Sequence, residues 1–381
     1  MKKKSLLALL VAAVMLLSGC SLVLRDSEVD GLQTIIDVNG ETVNKNDFLN
    51  TYSYNLSVEQ YYASIYSQLG LSYTVDEQEV LSDTANTIIT DLVLRQKLTE
   101  LGLDVFTEEE NAALDADAQE QLQGYLDNVR EQYFADSELT GEALDEAVAE
   151  YAAANLGYTF DSVRENVKDT ELSNRLRAYV TDPVTITDDD LQAALDEKIA
   201  SEKASYESSL AAYGAAANQG TYTSYGPAGY RAIRFIQVAK PAAEEAAETT
   251  EEAPVAEEKN EALAEAEALL ERLNNGETID ALGLDVSEYI VCESSTDVAD
   301  AIVAAVFALT EKGYTGVIEG ESAYYIAEYV DDVAEHTATL EETRDLLYDD
   351  TLSAAQTAAY NDAVNAWVEA ASITIYSDRL N

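Results

Sequence analysis

The feature that most narrows what this chain can fold into is helical periodicity from residue 44 to 212, interrupted only by signals that start or stop helices. Ala85, Ile88, Ile89 and Leu92 fall on one stripe, and Leu94, Leu98 and Leu101 continue it, the spacing of an amphipathic helix over about Val80–Leu101. Gly102 ends that helix. Thr107-Glu108-Glu109-Glu110 then puts a hydroxyl and, three residues on, a carboxylate where a capping box needs them. Residues 107–155 continue as acidic, alanine-rich helix, with Tyr125, Val129, Tyr133 and Phe134 as its apolar contributions. Thr159-Phe160-Asp161-Ser162-Val163 opens another helix to about Val180, which Asp182-Pro183 breaks. Thr187-Asp188-Asp189-Asp190 caps a further helix reaching about Ala212, the acids complementing its dipole. Ahead of this run, Thr34–Val43 with Asn39-Gly40 at its centre reads as a hairpin. Asn46-Asp47-Phe48-Leu49 then opens a helix rich in tyrosine, with Tyr52, Tyr54, Tyr61, Tyr62 and Tyr66.

Past Ala211 the pattern changes. Residues 213–229 lack periodicity and read as a linker. Tyr230–Val238 is a strand, and residues 239–258 are an Ala/Glu/Thr/Pro low-complexity insert expected to be disordered. A helix over Asn260–Leu273 stops at Asn274-Asn275-Gly276, and Tyr289–Cys292 is a short strand. Val298–Leu309 is an apolar helix, and Val317–Ser322 turns into a strand over Ala323–Val330. This β-α-(β)-α-β-β order describes a small α+β domain over 230–332. Thr339-Leu340-Glu341-Glu342 caps a last helix to about Ala371, followed by extended Ile373–Tyr376, so 333–381 is a C-terminal helix and tail. The expected fold class is α+β: a mainly helical domain at 34–212 and a small α+β domain.

Charge and rare residues exclude several functions. A formal net charge of −51 repels nucleic acid, which is dropped as a partner, and attracts cations and basic polypeptides. The chain has two cysteines, Cys20 and Cys292, and one histidine, His336. Cys-rich metal sites and the His-Glu-x-x-His arrangement are therefore excluded. Asp115-Ala116-Asp117 hints at a calcium loop, but Glu120 stands where that loop needs Gly and no Glu closes it. No metal and no cofactor is expected. Twenty-four tyrosines against six phenylalanines suggest surfaces that are wet and apolar at once, or tyrosine-lined helix seams.

The N-terminus adds a location. Met1-Lys2-Lys3-Lys4 is a positive leader to an apolar run from Leu6 to Leu17, too short for a hydrocarbon core that needs about 20 residues. Leu17-Ser18-Gly19-Cys20 resembles the lipobox of bacterial lipoproteins. The resemblance implies a signal peptide at 1–19, lipidation of Cys20 and a tether at 20–33. It places the protein outside the cytoplasm, anchored at the outer face of the cell membrane. If Cys20 is lipidated, Cys292 is the only thiol left and no intramolecular disulfide forms.

The order of segments resembles the extracytoplasmic foldases of the PrsA and SurA type. Val38-Asn39-Gly40-Glu41-Thr42-Val43 with Asp47-Phe48, Leu92–Leu103 with Thr107-Glu108-Glu109, Gly157–Arg164 and Val184–Leu191 are similar to their N-terminal chaperone domain. Residues 230–332 resemble a parvulin (PpiC-type) domain through the first strand, Leu273-Asn274-Asn275-Gly276-Glu277 and the helix end from Phe307 to Gly313. In such proteins a C-terminal helix returns to the chaperone domain. The resemblance implies that Arg234 and Tyr325 stand where active parvulins keep two core histidines. With Cys292 and Phe307 they would line a degenerate pocket. Cys292 could be offered as a replacement thiol, although its apolar strand suits a small buried cysteine better. No residue is assigned as catalytic.

The expected function is that of a membrane-anchored chaperone assisting unfolded, newly exported polypeptides. It would touch them through Tyr52, Tyr61, Tyr62 and Tyr66, with isomerase activity weak or absent. The alternative is an active peptidyl-prolyl isomerase. A solute-binding lipoprotein is remote, because 44–212 lacks the strand–helix alternation of two α/β lobes. Oligomeric state stays open.

Overall fold

The computed structural model describes residues 27–240 and 254–380. The expected signal peptide, Cys20 and the first residues of the tether lie outside the described residues, as does most of the expected insert. Among the described residues no helix is long and apolar enough to cross a membrane. Contacts divide the chain into two units, one comprising residues up to Val184 together with Ala354–Asn381, the other Thr185–Ser353.

In the first unit, a short helix α1 (Ser27–Gly31) leads to strands β1 (Thr34–Val38) and β2 (Glu41–Asn44). Asn39 and Gly40 both take positive φ, 54° and 90°, the tight hairpin turn that Asn-Gly favours. Helices α2 (Lys45–Gln68), α3 (Glu77–Glu100), α4 (Glu108–Tyr133), α5 (Glu142–Leu156) and α6 (Phe160–Thr181) come next. Thr107 and Glu110 form the expected capping box. Residues 107–155 are not one helix, however. The chain turns after Tyr133 and restarts at Glu142 behind Gly141, whose φ is 61°. Val129, Val148 and Ala152 seal the resulting pair, with Tyr151 packed against Tyr133 and Phe134.

The second unit begins with α7 (Asp188–Ser208) and α8 (Ala211–Asn218). The change of unit thus falls at Val184–Thr185, earlier than the boundary at 212 that the loss of periodicity suggests. The reason is aromatic. Tyr206 of α7 packs with Tyr213 and Tyr230 in one buried cluster. Residues 213–229 are accordingly no linker. Asn218 accepts from the Ile290 N–H at 2.7 Å and donates to the Ile290 carbonyl at 3.1 Å. At Gly214 a Cβ would sit 2.8 Å from the Ile290 carbonyl oxygen, so the approach of α8 requires glycine.

Next come β3 (Tyr225–Gly226), β4 (Tyr230–Ala239), α9 (Pro254–Asn274), a 3₁₀ turn (Ile279–Leu282), β5 (Ser287–Val291) and α10 (Asp300–Phe307). The chain continues through β6 (Gly313–Tyr314), β7 (Ile318–Glu319), β8 (Ala323–Val333), β9 (His336–Thr337) and α11 (Leu340–Ala370), with β10 (Ile373–Ile375) last. β4 carries the chain through Ala239, and Lys240 is held by Glu319, by the Gly320 carbonyl and over the Tyr324 ring. Residues 254–258 already belong to α9, so the expected disorder from 239 to 258 is corrected at both ends.

The five-stranded antiparallel sheet runs β5-β4-β8-β6, with β7 also on β8. Its two faces bury different sets. Ile233, Val291, Ala327 and Tyr329 pack with Ile302, Val303 and Val306 of α10. Ile236, Val238, Tyr324 and Ile326 pack with Ala262, Ala266, Leu269 and Leu273 of α9. The α11 residues up to Ser353 count with this unit and those from Ala354 with the first. There Val368 joins Ile35, Ile36, Val38, Phe48, Ile89 and Leu92, and β10 adds a third strand beside β1.

Candidate functional site

The sheet register decides what the degenerate pocket can be. Arg234 lies opposite Glu328, and Tyr325 opposite Gln237, with Ile236 and Ile326 paired between them. Side chains alternate along a strand and directly opposed residues share a face. Arg234 therefore shares a face with Ile236 and Ile326, towards α9, while Tyr325 shares one with Phe235 and Ala327, towards α10. The two positions expected to replace a histidine pair do not converge.

Each is instead absorbed by its own face. Arg234 hydrogen-bonds Asp280 of the 3₁₀ turn and pairs with Glu288 of β5 at 3.0 Å and Glu328 of β8 at 3.7 Å. The hydrogen bond from Arg234 holds the Asp280 carboxyl below its usual range, and the same bond raises the guanidinium. Three carboxylates thus surround this one cation. Tyr325 meets Phe235 edge-on at 6.0 Å, and Phe235 stacks on Tyr289 at 5.7 Å. Phe307 is on Tyr325's side of the sheet, where the Arg231 guanidinium lies over its ring at 4.8 Å.

Cys292, just past β5, belongs to the tyrosine cluster with Tyr206, Tyr213 and Tyr230 and is in neither layer. It is 5% exposed. Burial pushes the thiol up, but hydrogen bonding with Ser294 and Ser295 outweighs this and leaves it below a free thiol. Burial likewise raises the Tyr230 hydroxyl. His336 sits exposed on β9, paired with Gly226. Of the four expected pocket residues the structure brings together only Tyr325 and Phe307.

In the first unit the tyrosines of α2 separate into two kinds. Tyr52 is half-buried against the β1–β2 core and is no contact surface. Tyr61, Tyr62 and Tyr66 are exposed, and with them Tyr54, Leu69, Leu71 and Tyr73. Tyr66 and Tyr73 stack at 5.2 Å across the turn between α2 and α3. Beside them is a groove of about 400 Å³ whose walls include Tyr54, Val58, Tyr73 and Val80, with Glu59, Asp76, Glu79 and Asp83. The Tyr73 hydroxyl donates to Glu59, and that bond raises it. Sequence reading missed Tyr73 and the four acids. The signal was there, since Asn55 and Glu59, and Glu79 and Asp83, recur at the four-residue spacing that puts side chains on one helix face.

Residues 224–345 match the family model of the PPIC-type PPIase domain. That segment, the sheet and its helices, is a domain of this class. No curated protein matches the chain. Among solved structures the chain is similar to a SurA-like chaperone of Campylobacter jejuni, at 12% identity over 90% of this chain and 98% of that one, with a TM-score of 0.30. It is also similar to the foldase protein PrsA from Streptococcus pneumoniae, at 14% identity over 89% and 93% of the two chains, with a TM-score of 0.23. PrsA from Bacillus subtilis matches at 13% identity over 91% and 95%, with a TM-score of 0.21.

Proposed function

We propose that this protein is a membrane-anchored extracytoplasmic chaperone that holds unfolded, newly exported polypeptides, and that its PPIC-type domain has lost isomerase turnover. The observation that carries the reading is the exposed aromatic face of α2 and the turn to α3, in a chain that also contains a domain of the isomerase class. Exposed tyrosine gives loose contact with apolar segments while staying wet, which suits binding that must be released. The lipobox-like Leu17-Ser18-Gly19-Cys20 supports anchoring through Cys20. The loss of turnover rests on the opposed faces of Arg234 and Tyr325. Prolyl isomerisation crosses a barrier of about 18–20 kcal/mol, and two side chains on opposite faces do not act together on one imide.

The test is suppression of aggregation of a reduced client. The expected result is suppression by the intact chain, weakened when Tyr61, Tyr62 and Tyr66 are replaced by serine. No suppression at several-fold molar excess would overturn the chaperone role. A protease-coupled proline-peptide assay should show no catalysis, and incorporation of labelled fatty acid should disappear in Cys20→Ala. The family match favours an active isomerase as the second reading, which turnover in that peptide assay would establish.

A further inference from the structure

We propose that the groove between α2 and α3 accepts a lysine or arginine side chain of an unfolded polypeptide, so that the bound segments are those in which a cation neighbours an apolar residue. This rests on the chaperone reading and names the class of sequence it selects. The groove's apolar walls, Tyr54, Val58, Tyr73 and Val80, suit an aliphatic stem, and its open rim carries the exposed Tyr66–Tyr73 stack for a neighbouring apolar residue.

Charge complementarity identifies the occupant. No lysine or arginine is among the groove's lining residues, and four carboxylates are. Some acids elsewhere in the same unit are answered from within the chain. Arg130 pairs with Asp127 and Asp145, Arg164 with Asp115, and Arg175 with Glu110 and Glu171. In the groove, Glu59 receives only the Tyr73 hydroxyl, and Asp76 caps α3 through Oδ1. Neither Glu79 nor Asp83 takes part in an ion pair among the described residues. A site of aromatic rings and unanswered carboxylates attracts a cation by both ring quadrupole and charge. A bare divalent ion is the poorer fit, since among the described residues no cluster of three or more such ligands has metal-binding geometry. The large negative charge of the whole chain would bring cationic segments in by steering.

The test uses fluorescence anisotropy on the full chain with a dye-labelled unstructured peptide of repeated Lys-Phe-Lys, and a twin with norleucine for every lysine. The lysine peptide should bind about tenfold tighter, and the preference should shrink as sodium chloride is raised. Glu79→Gln with Asp83→Asn should remove about fivefold of the lysine peptide's affinity and leave the norleucine peptide unchanged. Circular dichroism establishes that the variant is folded; should the pair not fold, Asp83→Asn alone serves. Equal affinity for both peptides, or no effect of the substitutions, overturns the inference. Intact suppression of aggregation with no lysine preference sinks this inference alone, whereas no binding of either peptide and no suppression sinks both.

Discussion

Histidine placed at both 234 and 325, singly and together, tests whether these positions form one centre. Arg234 is 23% exposed and holds Glu328, also 23% exposed, while its other partners Asp280 and Glu288 are 64% and 71% exposed. Exposed partners contribute little. The stability lost with the half-buried guanidinium is therefore about 1–2 kcal/mol, mostly from leaving Glu328 without its cation. Tyr325→His removes the edge contact with Phe235 and part of an apolar layer, again about 1–2 kcal/mol. The positions lie on opposite faces and are offset by three residues along paired strands, roughly 10 Å, with no shared side-chain partner. The losses should then add, giving about 3 kcal/mol for the double variant with a coupling energy below about 0.5 kcal/mol. Urea denaturation of the full chain followed by circular dichroism measures the cycle. The double variant should also show no proline-peptide turnover. A coupling energy above about 1 kcal/mol, or catalysis appearing only in the double variant, would refute the separation of faces.

Phe48 is fully buried under the β1–β2–β10 sheet, and Phe48→Ala should destabilise the first unit by about 3–5 kcal/mol in urea titrations, a loss under about 1 kcal/mol being incompatible with that core. Cys292 should stay unreactive to an aromatic disulfide reagent until denaturant is added; prompt labelling of the native protein would contradict its place among Tyr206, Tyr213 and Tyr230. The Asp188 and Asp280 carboxyls are held below their ordinary range by hydrogen bonds from Arg344 and Arg234. A depressed carboxyl pKa contributes stability that is present above about pH 4 and is lost as pH falls through the folded value. Asp280→Asn should therefore flatten the acid limb of stability against pH, and an unchanged limb would show that the Arg234 pair does not contribute.

What was legible in the sequence was whatever one short window encodes. The Asn39-Gly40 turn, the caps at Thr107, Thr159 and Thr187 and the helix stripes need only their own neighbours, and all appear as read. The boundary at 184 was hidden because Tyr206, Tyr213 and Tyr230 meet only after the chain has folded back, and a local scan sees 211–229 merely as aperiodic. The turn at Tyr133–Glu142 was missed because alanine-rich acidic sequence continues on both sides and no proline marks the break. The pocket residues failed for a related reason. Aligning Arg234 and Tyr325 with a family's two histidines fixes their strands but not the register between those strands, and a shift of one residue exchanges faces.

That period of two also separates what the two positions do, Arg234 serving one face of the sheet and Tyr325 the other. The three carboxylates around Arg234 come from the 3₁₀ turn, β5 and β8, so the one cation ties three separate elements to β4. On the other face Tyr325, Phe235 and Tyr289 are packed ring against ring, and past the end of β5 the thiol of Cys292 meets two serine hydroxyls within the tyrosine cluster. Among the described residues Glu79 and Asp83 of the helical unit take part in no ion pair and lie beside exposed tyrosines, where the proposed client segment would bind.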